Sequence, residues 1–171
     1  MKDLINVAGL VEESIVDGPG LRFVIFVQGC PHGCVGCHNP NTHPFGTGKN
    51  YTVDELYRLI RSNPMIKGVT FSGGEPFCQA GPLSQLGEKL RRSGYNLFLY
   101  SGFTIEKLLE RAESDEDIHN LLSVGNYLVD GPFIEQERDL TLSFRGSRNQ
   151  KIYDITCYPN SKRVFVSDEF K

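Results

Sequence analysis

The sequence lacks a long apolar run, an excess of basic residues, and any repeated or low-complexity tract. No stretch of its 171 residues approaches the roughly 18 consecutive apolar residues of a membrane helix. The amino-terminal residues include acidic ones and have no apolar core like that of a secretory signal. A formal net charge of −3 gives no electrostatic basis for binding nucleic acid. We therefore expect one compact domain over residues 1–171, with no membrane and no nucleic-acid partner.

Cysteine is also sparse, but it is unevenly distributed. Three of the five cysteines lie in the run Cys30-Pro-His-Gly-Cys34-Val-Gly-Cys37. In a chain without an export signal this pattern favours metal or redox chemistry over a disulfide framework, and it predicts a cytoplasmic protein. The isolated Cys78 and Cys157 are expected to be ordinary buried or partly buried thiols.

Short apolar runs alternate with amphipathic segments along the chain. The predicted strands are 21–27, 69–71, 97–100, 127–129, 152–155 and 163–166. Apolar stripes predict helices around Leu56, Leu86, Leu108 and Leu121, the first with a capping box that begins at Thr52. This alternation predicts an α/β fold with a mainly parallel sheet.

Unusual residues follow the first four predicted strands. They are the cysteine run, the Gly73-Gly74-Glu75 turn, Ser101-Gly102 and Asp130-Gly131. Because the carboxyl ends of parallel strands meet at one edge, we expect these groups to share a site. Ser101 and Asp130 could alternatively be helix caps, as is common for such residues at the ends of strands.

The cysteine run has the spacing C-x3-C-x2-C. Three thiolates so close together are expected to converge on one metal centre, and Gly29, Gly33 and Gly36 allow the backbone to curl around it. A 4Fe–4S cluster held by three cysteines would keep one iron open, as a catalytic centre requires. From spacing alone, a structural zinc site with His32 or His38 as the fourth ligand remains the alternative.

Cysteines with this spacing after a first strand, with GGE after a second, resemble the radical S-adenosylmethionine superfamily. The resemblance implies a partial, open βα barrel in which Cys30, Cys34 and Cys37 hold a 4Fe–4S cluster whose open iron chelates S-adenosylmethionine. It assigns the cofactor's amino group to Gly73, Gly74 and Glu75. Many members carry an aromatic residue before the third cysteine that touches the adenine; here Gly36 stands at that place and His38 directly follows the cysteine. The resemblance leaves the residue at the adenine open and makes His38 a candidate for cofactor binding. The positions of Ser101 and Asp130 match those that bind the cofactor's ribose or carboxylate.

The segment VDGPG-x-R resembles the glycyl-radical activating enzymes and places Asp17 and Arg22 near the substrate glycine; by composition alone it is a turn. Further pieces, above all VDGPFIEQERDLTLSFRGSRNQ, resemble the subgroup that acts on anaerobic ribonucleoside-triphosphate reductases. No second cysteine cluster is present, which excludes an inserted ferredoxin domain.

The resemblance implies reductive cleavage of S-adenosylmethionine to methionine and a 5′-deoxyadenosyl radical, which takes a hydrogen atom from a glycine Cα of the reductase. It also implies a reduced flavodoxin-type electron donor and a homodimer or a complex with a dimeric reductase. We expect residues 131–150 to dock the reductase, with Arg145 and Arg148 contributing; a solvated surface loop is the alternative. The rival functions are a radical enzyme acting on a small molecule and a non-enzymatic zinc-binding module.

Overall fold

The computed structural model describes residues 4–160, 165–167 and 169–170. Within these residues, eight strands form one sheet in the order β3-β1-β2-β4-β5-β6-β7-β8. The strands are β1 (Leu4–Ser14), β2 (Arg22–Val27), β3 (Lys49–Thr52), β4 (Gly68–Gly73), β5 (Asn96–Tyr100), β6 (Tyr127–Asp130), β7 (Lys151–Asp154) and β8 (Phe165–Val166). The helices are α1 (Val53–Arg61), α2 (Ala80–Arg92), α3 (Ile105–Ala112) and α4 (Glu116–Val124).

The centre of the sheet is parallel. Strands β2, β4, β5 and β6 are neighbours in that order and run in the same direction. Two antiparallel strands flank them on each side, β1 and β3 on one and β7 and β8 on the other. The sheet is open, with β3 and β8 at its two ends. The predicted α/β fold with an open, parallel-centred sheet is therefore confirmed.

Two strands were not predicted from the sequence. β1 ends in the polar residues Glu12, Glu13 and Ser14, and β3 is largely polar. At the other end of the chain, the predicted strand 163–166 lies partly outside the described residues, and its described part is β8. No helix of the described structure is long and apolar enough to cross a membrane.

The helices cover one face of the sheet and leave the other for the site. Leu97 and Leu99 of β5 pack in the main core with the helices, whereas Phe98 between them belongs to an aromatic cluster on the opposite face. The predicted cap at Thr52 is present, since its hydroxyl accepts from the Glu55 N–H, and Thr104 caps α3 by accepting from the Lys107 N–H. Leu59, which belongs to the apolar pattern that predicted α1, is 37% exposed. The buried apolar face of α1 is therefore narrower than the sequence pattern suggests.

Candidate active site

A cleft of about 580 Å³ lies on the sheet face opposite the helices and reaches the carboxyl ends of the parallel strands. It brings together several groups that are distant in sequence. Its lining includes Asp17, Cys30, His32, Cys34, Cys37, His38, Gly73, Gly74, Tyr100, Ser101, Gly102 and residues of the segment 131–150. The predicted gathering of strand-end groups is therefore found for all four parallel strands, the fourth being represented in the lining by Gly131.

The cysteine loop (Cys30–Cys37) follows β2 and curls as its glycines predict. Gly29, Gly33 and Gly36 all have positive φ, a conformation that costs glycine little. The backbone N–H of Asn39 donates to the Cys37 sulfur at 3.4 Å. Burial raises the pKa of the Cys30 thiol, and a hydrogen bond from the backbone N–H of His32 opposes that rise.

The donor chemistry of the loop fits an iron–sulfur cluster. Cys30, Cys34 and Cys37 are free, half-buried thiols that line the same cleft, and thiolates are the usual ligands of such clusters. Within the described part of the chain, no three His, Cys, Asp or Glu side chains are grouped as ligands of a metal ion. The fit therefore rests on donor type and on the shared cleft, not on a preformed ligand geometry.

The Gly73-Gly74 turn is attached to the start of the cysteine loop through its backbone. The Gly74 N–H donates to the Val27 carbonyl at 2.9 Å, and the Glu75 N–H donates to the Gly29 carbonyl at 2.8 Å. A Cβ built on Gly74 would lie 2.3 Å from the Gly29 oxygen, so only glycine permits this approach. Gly73 and Gly74 thus present backbone to the cleft.

The carboxylate of Glu75 is completely buried behind this turn. It accepts hydrogen bonds from the Ser101 hydroxyl, from the backbone N–H groups of Phe77 and Gly102, and from the His32 ring. Ser101 lines the cleft, but its hydroxyl donates to Glu75. Both Ser101 and Glu75 were predicted to contact the cofactor; Ser101 reaches the cleft, and Glu75 lies one layer behind it.

Asp130, the fourth strand-end group, accepts hydrogen bonds from two backbone N–H groups. One carboxylate oxygen accepts from the Ile105 N–H, the first residue of α3, at 2.9 Å, and the other accepts from the Lys151 N–H at 3.2 Å. Burial raises the pKa of Asp130, and these two hydrogen bonds oppose that rise. Asp130 thus bonds the start of α3, whose N-cap residue is Thr104, and its contact with the cofactor stays a prediction.

Asp17 and Arg22 are held in one segment but face different surroundings. Asp17 lines the cleft and accepts from the Ser14 hydroxyl at 2.6 Å. Arg22 lies at the amino end of β2, away from the cysteines, and is 2% exposed. Its guanidinium donates to the carbonyls of Pro19 and Val69 and to the Thr70 hydroxyl. Arg22 therefore stabilises the segment that carries Asp17, through its bond to the Pro19 carbonyl.

His38 lies in the cleft, where its ring packs against Phe133 at a centroid distance of 5.0 Å. Sequence reasoning missed both Phe133 and Tyr100, whose hydroxyl donates to the Phe144 carbonyl at 2.7 Å. Tyr100 is the last residue of β5, directly before Ser101, so its place at the strand end was the signal that could have revealed it. Phe133 follows Asp130-Gly131 in the same way.

Residues 131–150 form an ordered, hairpin-like segment on one side of the cleft. Arg138 and Ser147 pair across it, and the Asp139 N–H donates to the Gly146 carbonyl at 3.1 Å. Leu140 is 82% exposed and lines the cleft. Arg145 also lines the cleft, and its guanidinium donates to the Phe170 carbonyl at 3.1 Å.

The model for a 4Fe-4S single cluster domain matches residues 16–153, which include the cysteine loop and the whole cleft. This match confirms the 4Fe–4S cofactor, and the class of protein is that of the radical S-adenosylmethionine enzymes. The chain belongs to the family of anaerobic ribonucleoside-triphosphate reductase-activating proteins, as the following relatives show.

The member from Vibrio cholerae is 35% identical over 150 residues, covering 83% of this chain and 93% of its own. The member from Escherichia coli K12 is 30% identical over 149 residues, covering 82% of this chain and 93% of its own. Among solved structures, QueE from Escherichia coli is 20% identical over 59% of this chain and 53% of its own, with a TM-score of 0.48.

Proposed function

We propose that the protein activates an anaerobic ribonucleoside-triphosphate reductase by generating a glycyl radical on it. The observation that carries the proposal is the shared cleft, in which three free thiols, a glycine turn and Asp17 meet beside an exposed apolar residue, Leu140. The relatives named above carry the reductase in their names, and they match more than nine-tenths of their own length.

In this proposal Cys30, Cys34 and Cys37 hold the cluster within a single radical S-adenosylmethionine domain, residues 1–171. When bound, the cluster and S-adenosylmethionine supply the one-electron chemistry that removes a hydrogen atom from a glycine Cα. The backbone of Gly73 and Gly74 lines the cleft for the amino acid part of the cofactor.

The remaining cleft residues have roles in binding and orientation. His38, braced by Phe133, offers a ring face to the adenine, and Ser101 borders the ribose. Asp17 retains acceptor capacity beyond its bond to Ser14 and can take a backbone N–H of the substrate loop. We further propose a reduced flavodoxin-type donor, a homodimer or a complex with a dimeric reductase, and a cytoplasmic location.

Anaerobic reconstitution with iron and sulfide, then reduction and electron paramagnetic resonance, tests the proposal. A reduced-cluster signal that changes when S-adenosylmethionine is added is expected, followed by a glycyl radical signal on the added reductase. Replacing Cys30, Cys34 or Cys37 with Ser should abolish both signals, whereas C78S and C157S should keep them. A cluster that cleaves the cofactor but leaves no radical on the reductase would instead support a small-molecule substrate. Zinc in place of iron would overturn the proposal.

A further inference from the structure

The buried carboxylate of Glu75 has a bonding pattern that its predicted role does not require. Four donors from three parts of the chain converge on its two oxygens: the His32 ring, the Ser101 hydroxyl, and the N–H groups of Phe77 and Gly102. Glu75 is fully buried, and a fully buried carboxylate is tolerated only when its oxygens accept hydrogen bonds, as they do here. Its bonding capacity is directed toward protein and not toward the cleft.

The His32 ring is fixed from three sides. Its Nε2 lies 2.6 Å from a Glu75 oxygen, and since a carboxylate only accepts, the ring nitrogen donates. The ring edge packs on Phe103 at a centroid distance of 4.6 Å and an angle of 78°. A Cβ on Gly102 would lie 2.4 Å from the ring, so the ring fits only because residue 102 is glycine. Arg111 lies over the Phe103 ring at 4.8 Å.

His32 also belongs to the cysteine loop, two residues after Cys30 and two before Cys34. A side chain anchored on Glu75 therefore fixes the backbone between the first two cysteines. The Glu75 N–H bonds the Gly29 carbonyl just before Cys30, so side chain and backbone fasten the loop to the same residue.

We propose that Glu75 and His32 are positioning residues that hold the cysteine loop in its cluster-receiving conformation before the cluster arrives. This inference rests on the proposed function, because the loop matters only if it binds the cluster. It assigns the contact with the amino group of S-adenosylmethionine to the backbone of the glycine turn, and it makes the Glu75 side chain a support for the cysteines.

Two single variants test the polar link. H32F keeps a ring against Phe103 but cannot donate to Glu75, and E75Q replaces one acceptor oxygen with a donor that faces other donors. We expect each to weaken iron and sulfide uptake at limiting iron by roughly tenfold, the scale seen for partners behind metal ligands. The double variant should be little worse than either single one, because both changes break the same link.

Matched controls are H119F and E88Q. His119 bonds the Tyr158 hydroxyl at 2.8 Å, away from the cysteines, and Glu88 pairs with Arg92 on α2. Both controls should take up iron like the parent protein. Full iron uptake by E75Q with weakened binding of S-adenosylmethionine would overturn the proposal, because it would make Glu75 a direct ligand of the cofactor.

A steric test and a cluster-free readout complete the experiment. G102A should displace the His32 ring and lower iron uptake, and in an H32A background G102A should add no further loss. In cluster-free protein, amide exchange over residues 29–37 should be faster in H32F than in the parent; equal exchange would overturn the inference. A parent protein that takes up no iron would overturn the proposed function, while the exchange experiment would still decide the role of His32.

Discussion

Arg22 is a cation buried at the amino ends of the parallel strands, and its hydrogen bonds go to uncharged groups. Besides the carbonyls of Pro19 and Val69, it donates to the backbone and side-chain oxygens of Asn96. The guanidinium also lies 5.7 Å from the centre of the Phe98 ring. Burial lowers its pKa to about 10, which still leaves it charged at neutral pH. One side chain thus joins β2, β4, β5 and the Asp17 segment.

Arg22 therefore supplies a prediction about stability. R22A should lower the free energy of unfolding by at least about 3 kcal/mol, because several buried carbonyls lose their donor. R22K should recover less than half of that loss, since an ammonium cannot reproduce the planar fork of the guanidinium. Urea denaturation of the three proteins measures both effects. An R22K variant as stable as the parent would show that charge alone, without the fork geometry, suffices.

At the scale of elements, the carboxyl end of β6 is held by Asp130, which joins the first residue of α3 to the first residue of β7. D130A should cost about 1–2 kcal/mol of stability, as is typical when an acceptor at the start of a helix is lost. D130N should recover part of it, since its amide keeps one acceptor oxygen. Binding of S-adenosylmethionine, measured on the reconstituted variants by paramagnetic resonance, should be unchanged. Weaker binding of S-adenosylmethionine by D130N at unchanged stability would show that Asp130 contributes to the cofactor site, as the sequence predicts.

The strands differ in how clearly the sequence predicts them. Strands such as β2 and β4 are buried on both faces, so their near-continuous apolar runs are distinctive. β1 has only a few buried apolar residues before its polar end, and its place beside β2 depends on backbone pairing that no side-chain pattern records.

The contrast between side-chain patterns and contacts made through the fold also explains which site residues were predicted correctly. The cysteine run and the glycine turn carry their chemistry in residue type and spacing, and both were predicted. That Glu75 turns to His32, and Arg22 away from the cleft, depends on which neighbours reach them through the fold. Sequence position alone does not determine such orientations.

At the scale of the whole molecule, the carboxyl-terminal residues complete the aromatic cluster on the open face. Phe170 packs against Phe98, Tyr127 and Phe144, and the Tyr127 hydroxyl donates to the Glu169 carboxylate at 2.7 Å. That bond is the largest of the effects that raise the pKa of Tyr127 to about 12. Phe170 thus lies on the same face of the sheet as the cleft.

The raised pKa of Tyr127 predicts how the stability of the protein changes with pH. The folded pKa of Tyr127 lies above the ordinary value of about 10, so its stabilising bond is intact below pH 10 and is lost as the pH rises toward 12. Burial also raises the pKa values of Tyr100, Tyr153 and Tyr158, so several tyrosines should ionise late in an ultraviolet titration of the parent protein. In E169Q one tyrosine fewer should ionise late. Identical titrations of the two proteins would show that Glu169 does not bond the phenol in solution.

Docking of the reductase is the remaining property of the whole molecule, and Arg148 offers the clearest test of it. Arg148 is exposed on the segment 131–150, and its backbone is fixed by a bond to the Glu137 carbonyl, so its side chain can be removed without disturbing the fold. R148A should weaken the complex with the reductase by roughly fivefold, since it removes one charge at the edge of the interface. R145A should weaken it further. R92A, which removes an exposed arginine on α2, is the control and should bind normally.

Binding to the immobilised reductase at two salt concentrations would measure these effects. Because an exposed charge is screened by salt, the difference between R148A and the parent should shrink as the ionic strength rises. Cleavage of S-adenosylmethionine without the reductase should be the same in R148A and the parent, since the loss concerns docking alone. Equal affinities for parent and R148A at low salt would show that the segment is a solvated surface loop. The open side of the sheet would then have to receive the reductase through other residues.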